Sequence, residues 1–333
     1  MKKILGIFLL LMVICGYTAL RSDMFLTSGN LENVVHRTAM FGILGIGAAF
    51  VIVTGGIDLS IGSVVCLVGV LLPLLLTQYG WSPWIAAPAV LALAGLIGVI
   101  HGLLITRLRL QPFVVTLCGL LIYRGLARGI TEDQSQGFGI GFKGLRSLAT
   151  ERLPILGEEA FHLPATFLTL LVVAIVAAVF MNQTIYGRYL KALGRNEQAA
   201  RLSGIQTDRM VLLAYVVSAL LAGLGGMLFV LDVNAAQPSD FGNFYELYAI
   251  AAAVLGGCSL RGGEASIVGV VIGAAVMQTL SNSINLVMPQ YQNIEFAIIG
   301  GVILGGVIVD ELVKRYAARR RAMAQLRNKE GGV

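Results

Sequence analysis

The chain has 333 residues, of which 57% are hydrophobic and only 13% are charged, with a mean hydropathy of +0.83 and a formal net charge of +6. Soluble domains usually carry about 25% charged residues, so the composition excludes an ordinary soluble protein and predicts an integral membrane protein. The basic excess does not indicate nucleic-acid binding, because Lys and Arg cluster at the ends of apolar runs, where they set topology.

Ten apolar runs are long enough, or nearly long enough, to cross a bilayer as helices. They cover residues 4–20, 34–53, 61–77, 84–105, 113–130, 166–181, 210–231, 245–255, 266–287 and 295–313. The short runs are expected to be tilted, broken or re-entrant. The sequence therefore predicts an all-α membrane protein, with about ten transmembrane helices in a single domain over 1–333.

The first run follows two lysines and resembles a signal peptide. No A-x-A cleavage site follows it, so we expect an uncleaved first span that enters from the cytoplasm. With that start, 17 of the 24 Lys and Arg residues fall in segments assigned to the inner side. This bias predicts that both termini are cytoplasmic, including the basic tail at 314–333.

The segment TGGIDLSIGS at 54–63 joins the second run to the third, and a similar segment, LGGCSLRGGE at 255–264, joins the eighth to the ninth. Their glycines match at one constant offset, which indicates a weak internal duplication of the kind found in transporters. Two unrelated tight turns are the alternative. Asp58 is expected to cap the following helix rather than to contact a solute. The residues singled out in these motifs are Gly55, Gly56, Asp58, Ser60, Gly256, Gly257, Gly262 and Gly263.

Residues 131–163 form the longest stretch that is not apolar, and we expect a structured loop on the outer side. The segment GRYLKALGRNEQAARLSGI at 187–205 is polar and basic, so it must face solvent at the membrane surface. Asn196 is predicted to cap a short helix over 197–202, and Gly204 to end it. Two interpretations stand: a handle for a soluble partner, or a loop that only sets orientation.

A polar stripe runs along the ninth span, with residues spaced as neighbours on one helical face. Its members are Gln278, Ser281, Asn282 and Asn285. Such a stripe is costly in lipid unless it faces a cavity or another helix. It is therefore either the lining of a pathway for a hydroxyl-rich solute or a contact between helices.

No motif supports catalysis. The sequence has no G-x-x-x-x-G-K-[ST] phosphate loop, and its histidines and cysteines lack the spacing of metal ligands. We therefore expect no catalytic, cofactor or metal site in this chain.

The segments TGGIDLSIGS, GRYLKALGRNEQAARLSGI and AAAVLGGCSLRGGEASIVGVVIG, in this order, resemble the permease subunits of bacterial ribose-type sugar importers, which are ATP-binding-cassette (ABC) transporters. The resemblance covers about residues 41–313. It is specific for the permease class and much less so for the solute, because similar permeases carry several different sugars and other small molecules.

The resemblance implies a multi-pass protein of the bacterial inner membrane that hydrolyses no ATP itself. It further implies a second permease, cytoplasmic ABC ATPase subunits and an extracytoplasmic sugar-binding protein as partners. The loop at about 184–209 would couple the chain to the ATPase. Its coupling residues would be Gly194, Arg195, Asn196, Glu197, Ala199, Ala200 and Gly204. Residues 131–163 and 233–245 would be candidates for contact with the binding protein.

The main hypothesis is thus a permease for a monosaccharide or sugar-like solute. A permease for a nucleoside or a branched-chain amino acid is the alternative, although an amino acid needs a partner for its carboxylate and charge inside the spans is scarce. An ion-driven secondary carrier is disfavoured because relay carboxylates are missing from the spans. A membrane enzyme fits least.

Overall fold

The computed structural model describes residues 2–155 and 161–302, together with residues 304, 305 and 308. The described chain is almost entirely helical. Its helices are α1 (Lys2–Arg21), α2 (Ser28–Ile52), α3 (Ile61–Thr77), α4 (Pro83–Arg107), α5 (Pro112–Ile130), α6 (Lys143–Thr150), α7 (Ala165–Gln183), α8 (Ile185–Arg195), α9 (Glu197–Leu202), α10 (Thr207–Val233), α11 (Tyr245–Leu255) and α12 (Ile267–Val287). A 3-10 helix at Pro289–Ile294 follows, and residues 295–302 are helical again.

Among the described residues, seven helices are long and apolar enough to cross a membrane, and α3 and α11 are shorter apolar helices. Nine of the ten predicted runs coincide with these helices. The tenth begins in the helical residues 295–302, and most of its remainder lies outside the described residues, as does the tail at 314–333. The prediction of an all-α, multi-pass membrane protein is confirmed.

Helices α2 and α10 form the centre of the bundle. α10 packs against α2, α3 and α4, while α2 also contacts α7, α11 and α12. Small residues permit these contacts: a Cβ atom added at Gly98 of α4 would lie 2.6 Å from the backbone oxygen of Tyr215 in α10. In membranes, where lipid tails are as apolar as leucine, such close packing is a main source of helix association.

The predicted loop at 131–163 is structured in the part that the structure describes. It contains α6 and the strands β1 (Gln136–Gly137), β2 (Arg152–Pro154) and β3 (His162–Pro164). β2 and β3 pair as an antiparallel hairpin, and β1 pairs antiparallel with β4 (Ala235–Ala236), which follows α10.

A buried carboxylate fastens this hairpin to the first turns of α2. Glu32 accepts hydrogen bonds from Arg152 Nη1 at 2.5 Å and from the backbone N–H of His162 at 2.9 Å. α2 begins six residues before the predicted start at 34, because the polar turn that carries Glu32 is also helical. This contact was not predicted from the sequence. The available signal was a carboxylate, Glu32, directly beside a predicted span.

Candidate functional site

The basic segment folds as two short helices, α8 and α9, which meet at Asn196. The Asn196 side-chain oxygen accepts a hydrogen bond from the backbone N–H of Ala199 at 3.0 Å and so caps α9. Gly204 has φ +82°, and hydrogen bonds run from its N–H to Arg201 O and from Ile205 N–H to Ala200 O. These two bonds form a Schellman motif, in which glycine is the usual left-handed residue. Both predictions for the ends of this helix are confirmed.

The two helices bury one face and expose the other. Leu190 and Leu193 of α8 and Ala200 of α9 are buried. Ala199 is exposed, and Leu202 is 90% exposed. The structure thus separates two alanines that the sequence analysis treated together, because only Ala199 is available to a partner.

Charged side chains hold α9 against its neighbours. Arg201 contacts Glu197 one turn earlier and Asp208 at the start of α10, at 3.2 and 3.0 Å. Arg109, in the turn between α4 and α5, binds both oxygens of Asp208 at 3.1 and 3.2 Å. Exposed pairs such as these add little stability, about 0–1 kcal/mol each, and among them Arg201–Asp208 links α9 to α10.

One lysine of α8 is partly withdrawn from water. Lys191 donates a hydrogen bond to the Asn182 side chain at 3.0 Å. Burial, together with the nearby Arg195, lowers the pKa of Lys191 below its ordinary value. Both effects disfavour the charged form.

The two glycine motifs each end an apolar helix with a Schellman motif. In the first, Gly55 has φ +84°, and Gly55 and Gly56 donate to Ile52 O and Val51 O. In the second, the left-handed residue is Gly257, with φ +90°. The equivalent glycines are therefore Gly55 and Gly257, whereas the constant sequence offset matched Gly55 with Gly256.

The constant offset is therefore wrong by one residue for the backbone. α3 begins six residues after Gly55, whereas α12 begins ten residues after Gly257. The two loops consequently share their start and then diverge. The two motifs therefore match in the way in which α2 and α11 end.

Asp58 lies in the non-helical stretch between the first of these turns and α3, and it is buried. Its Oδ1 accepts hydrogen bonds from the Ser60 backbone N–H and hydroxyl at 3.0 and 2.6 Å, and its Oδ2 accepts one from the Ser218 hydroxyl at 2.9 Å. Ser60 is the N-cap residue of α3, but its side chain makes no capping bond. The expectation that Asp58 caps the helix is thus wrong in its detail, because its carboxylate binds the N–H of the N-cap residue Ser60 rather than an N–H of the first turn, and it joins the break to α10.

Ser218 lies about 16 Å along α10, at 1.5 Å per residue. The stretch before α3 therefore lies inside the bundle, beside a residue that is nearly half-way along α10. Irregular backbone at that depth is tolerated only where protein or a cavity surrounds it. Broken helices of this kind are typical of transporters.

The polar stripe of α12 contacts other parts of the chain. Asn282 exchanges two side-chain hydrogen bonds with Asn30 of α2, at 2.7 and 3.2 Å, and Ser281 donates to Glu295 at 2.5 Å. Gln278 is buried and Asn285 is exposed. These contacts favour the interpretation as interhelical bonds.

Two cavities lie along α12 in the described part of the chain, and other side chains of this helix form their walls. The larger, of about 360 Å³, is lined by Met277 together with Phe244, Tyr248 and Phe296. Leu280 and Ser283 line the other. The assignment of Gln278, Ser281, Asn282 and Asn285 to a solute pathway stays a prediction.

The structure also joins the predicted coupling loop to the glycine motifs. Gly194, near the end of α8, lies against Val53 at the end of α2 and against Gly262 and Gly263 in the loop between α11 and α12. A bundle of spanning helices with buried helix breaks and an exposed helical segment packed on them is the arrangement expected of a membrane transport protein.

Comparisons with known proteins agree with this class. A family described as the permease component of branched-chain amino acid transport systems matches residues 30–309. The chain is 36% identical to the ribose import permease protein RbsC of Escherichia coli K12, over 90% of this chain and 91% of that protein. It is 35% identical to RbsC of Bacillus subtilis, over 92% and 91%, and 31% identical to the D-allose transport system permease protein AlsC of E. coli, over the same shares. No solved structure matches the chain.

The chain belongs to this family of ABC importer permeases. The resemblance to ribose-type permeases that the three motifs carry is confirmed. As a permease, the chain is a transport component and not the catalytic one.

Proposed function

We propose that this protein is the membrane permease of an ABC importer for a monosaccharide. The observation that carries the proposal is the similarity along nine-tenths of the chain to permeases whose names specify ribose, D-allose and xylose. The three segments that carry this resemblance in sequence also meet in space, at Gly55, Gly194 and Gly262.

The proposed arrangement is a single transmembrane domain with its coupling loop at 184–209 on the cytoplasmic side. The exposed face of α9, with Ala199 and Leu202, would contact the ATPase subunit. The outer parts at 131–163 and 233–245 would contact the sugar-binding protein. α2 supports this division, because its first turns bind the hairpin β2–β3 and Val53, which directly follows its last residue, contacts α8.

In this scheme, a second permease completes the pathway and both termini are cytoplasmic. ATP hydrolysis takes place on the partner subunits, and closure of the ATPase displaces α8 and α9. A rigid-body displacement of this kind would switch the paired permeases between outward-open and inward-open states.

A branched-chain amino acid is the second candidate solute, because the family description names that class. An amino acid is a zwitterion, so its carboxylate needs a cation or a free helix N-terminus along the pathway. A nucleoside or an ion-driven mechanism would be further outcomes of the same test.

The test measures ATPase activity and solute uptake of the assembled transporter in lipid vesicles, with its binding protein and a panel of pentoses, hexoses, nucleosides and amino acids. We expect ATP-dependent uptake of one sugar. Uptake of leucine or a nucleoside alone would replace the solute class. Uptake driven by an ion gradient without any ATPase would overturn the proposal.

A further inference from the structure

Three segments that are far apart in sequence meet in direct backbone contact at one end of α2. They are the end of α2 with its turn, the last turn of α8, and the loop between α11 and α12. We name this contact the glycine joint and define it by Gly55, Gly194, Gly262 and Gly263. The sequence analysis divided these residues between the coupling set and the two glycine motifs, and the structure makes them one site.

A backbone hydrogen bond lies at the centre of the joint. The N–H of Gly263 donates to the carbonyl oxygen of Val53 at 2.8 Å. Gly194 packs directly on this bond, and a Cβ atom added to it would overlap both Val53 O and Gly263 N. A Cβ atom added at Gly262 would lie 2.7 Å from Gly194 O and 2.9 Å from Gly55 N.

These neighbours are backbone atoms, which cannot turn aside as a side chain can. By contrast, the atom nearest to a Cβ added at Gly263 is Arg195 Cγ, in a flexible side chain. Close-packed backbone transmits displacement because it has no slack to absorb it. A movement of α8 towards this bond must therefore displace Val53 and Gly263.

The glycine joint lies between the exposed helix α9 and the two non-helical stretches that precede α3 and α12. On one side, α9 follows α8 after the single residue Asn196. On the other side, the chain from Gly55 leads through Asp58 to the buried start of α3, and the chain from Gly263 leads to Ser266, which caps α12 by accepting from Gly269 N–H at 3.1 Å. One contact is thus continuous with both breaks.

We infer that the glycine joint transmits displacement of α8 and α9 to the ends of α2 and α12 together, so that Gly194 and Gly262 are positioning residues for transport. The inference rests on the proposed function and adds to it the contact through which coupling passes. The ATPase would bind α9, and the glycine joint would determine whether displacement of α9 also moves the spanning helices.

The first experiment compares Gly194→Ala with Gly129→Ala in the assembled transporter. Gly129 is also helical, but among the described residues nothing lies within 4 Å of its added Cβ atom. We expect Gly194→Ala, whose Cβ atom would push the last turn of α8 away from Val53 O and Gly263 N, to lower solute uptake per ATP hydrolysed about tenfold, a coupling loss of about 1.4 kcal/mol. Gly129→Ala should match the wild type.

A second pair separates backbone strain from the loss of contact. Gly262 and Gly80 both have positive φ, +84° and +65°, but within the described chain only Gly262 has atoms near its added Cβ atom. Gly262→Ala should therefore reproduce the coupling defect, and Gly80→Ala should not. Wild-type uptake per ATP in both joint variants would overturn the inference.

Amide hydrogen exchange tests the joint without depending on transport. In the isolated permease, Gly194→Ala should speed exchange at the Gly263 amide about tenfold and leave α5 unchanged. In the wild-type complex, exchange in 53–57 and 259–264 should change together when the ATPase is trapped with vanadate. Independent changes in the two segments would overturn the inference. Because this measurement uses the wild-type complex, it remains decisive even if the variants fail to fold.

The two failures are distinguishable. A wild-type assembly that shows no ATP-dependent uptake would overturn the proposed function and, with it, the transmission role. An active wild type whose joint variants are equally well coupled would overturn the joint alone.

Discussion

Helix α9 should depend on the side chain of Asn196 to a degree that can be measured. The helix has six residues, and helices this short are not stable by themselves in water. Its first turn is fixed by the bond from Ala199 N–H to Asn196 Oδ1 at 3.0 Å. Replacing such a cap by alanine costs about 1 kcal/mol, so Asn196→Ala should raise the open fraction of α9 roughly fivefold.

The cap predicts an order among substitutions at this position. Asn196→Asp keeps the oxygen that accepts the bond and should behave as the wild type, and Asn196→Gly should cost only a few tenths of a kcal/mol, because glycine is a tolerated N-cap residue. Amide exchange at Ala199 reports the cap directly. Uptake per ATP hydrolysed should fall in the same order, with the alanine variant lowest.

The aspartate variant decides the interpretation. If Asn196→Asp lost coupling as severely as Asn196→Ala while its α9 amides stayed protected, the cap would not be the cause. The side-chain amide of Asn196 would then contact the partner directly, and the reasoning from helix stability would be refuted.

Three further changes test the buried contacts and the exposed face. Asp58→Ala leaves three donors without their acceptor and should lower the free energy of unfolding by about 3 kcal/mol. Asp58→Asn should lower it by about 1 kcal/mol. Unfolding in detergent measures both variants, and equal losses would contradict the explanation by hydrogen bonds. Asn282→Ala should cost about 1 kcal/mol with an unchanged KM for uptake, and a raised KM would place this residue on the solute pathway instead. Ala199→Glu should weaken ATPase binding in a pull-down without loss of stability, whereas Ala200→Glu buries a charge and should destabilise α9; indistinguishable behaviour would contradict the assignment of the two faces.

Two sets of polar residues differ in their contacts. Asp58 is hydrogen-bonded to Ser218 inside the bundle, and Asn282, near the end of α12, is hydrogen-bonded to Asn30 in the first turn of α2. An unpaired polar group is costly in lipid, so these bonds within the chain stabilise the bundle. The polar residues on α8 and α9 are exposed and paired weakly, and this leaves them available for exchange with a soluble partner.

The sequence by itself determined the class, the presence of the spanning helices and the ends of α9. Runs of apolar residues can satisfy their backbone in lipid only as helices, so composition and length were sufficient to predict nine of the helices that the structure contains. The ends of α9 were equally predictable, because a cap depends on residues three positions apart, Asn196 and Ala199, and the glycine turn on Gly204.

Only the tertiary structure decided which of these local features meet. The constant offset between the glycine motifs paired Gly55 with Gly256, one residue away from its structural equivalent Gly257. Matching glycines in sequence cannot show which of them adopts positive φ. The bond from Gly263 to Val53 joins positions about 200 residues apart, and neither residue carries a side chain that identifies the other. A contact between two backbone segments is marked in the sequence only by a small residue, and this residue does not identify its partner. The partner of Gly194 is set by how α2, α8 and the loop before α12 pack.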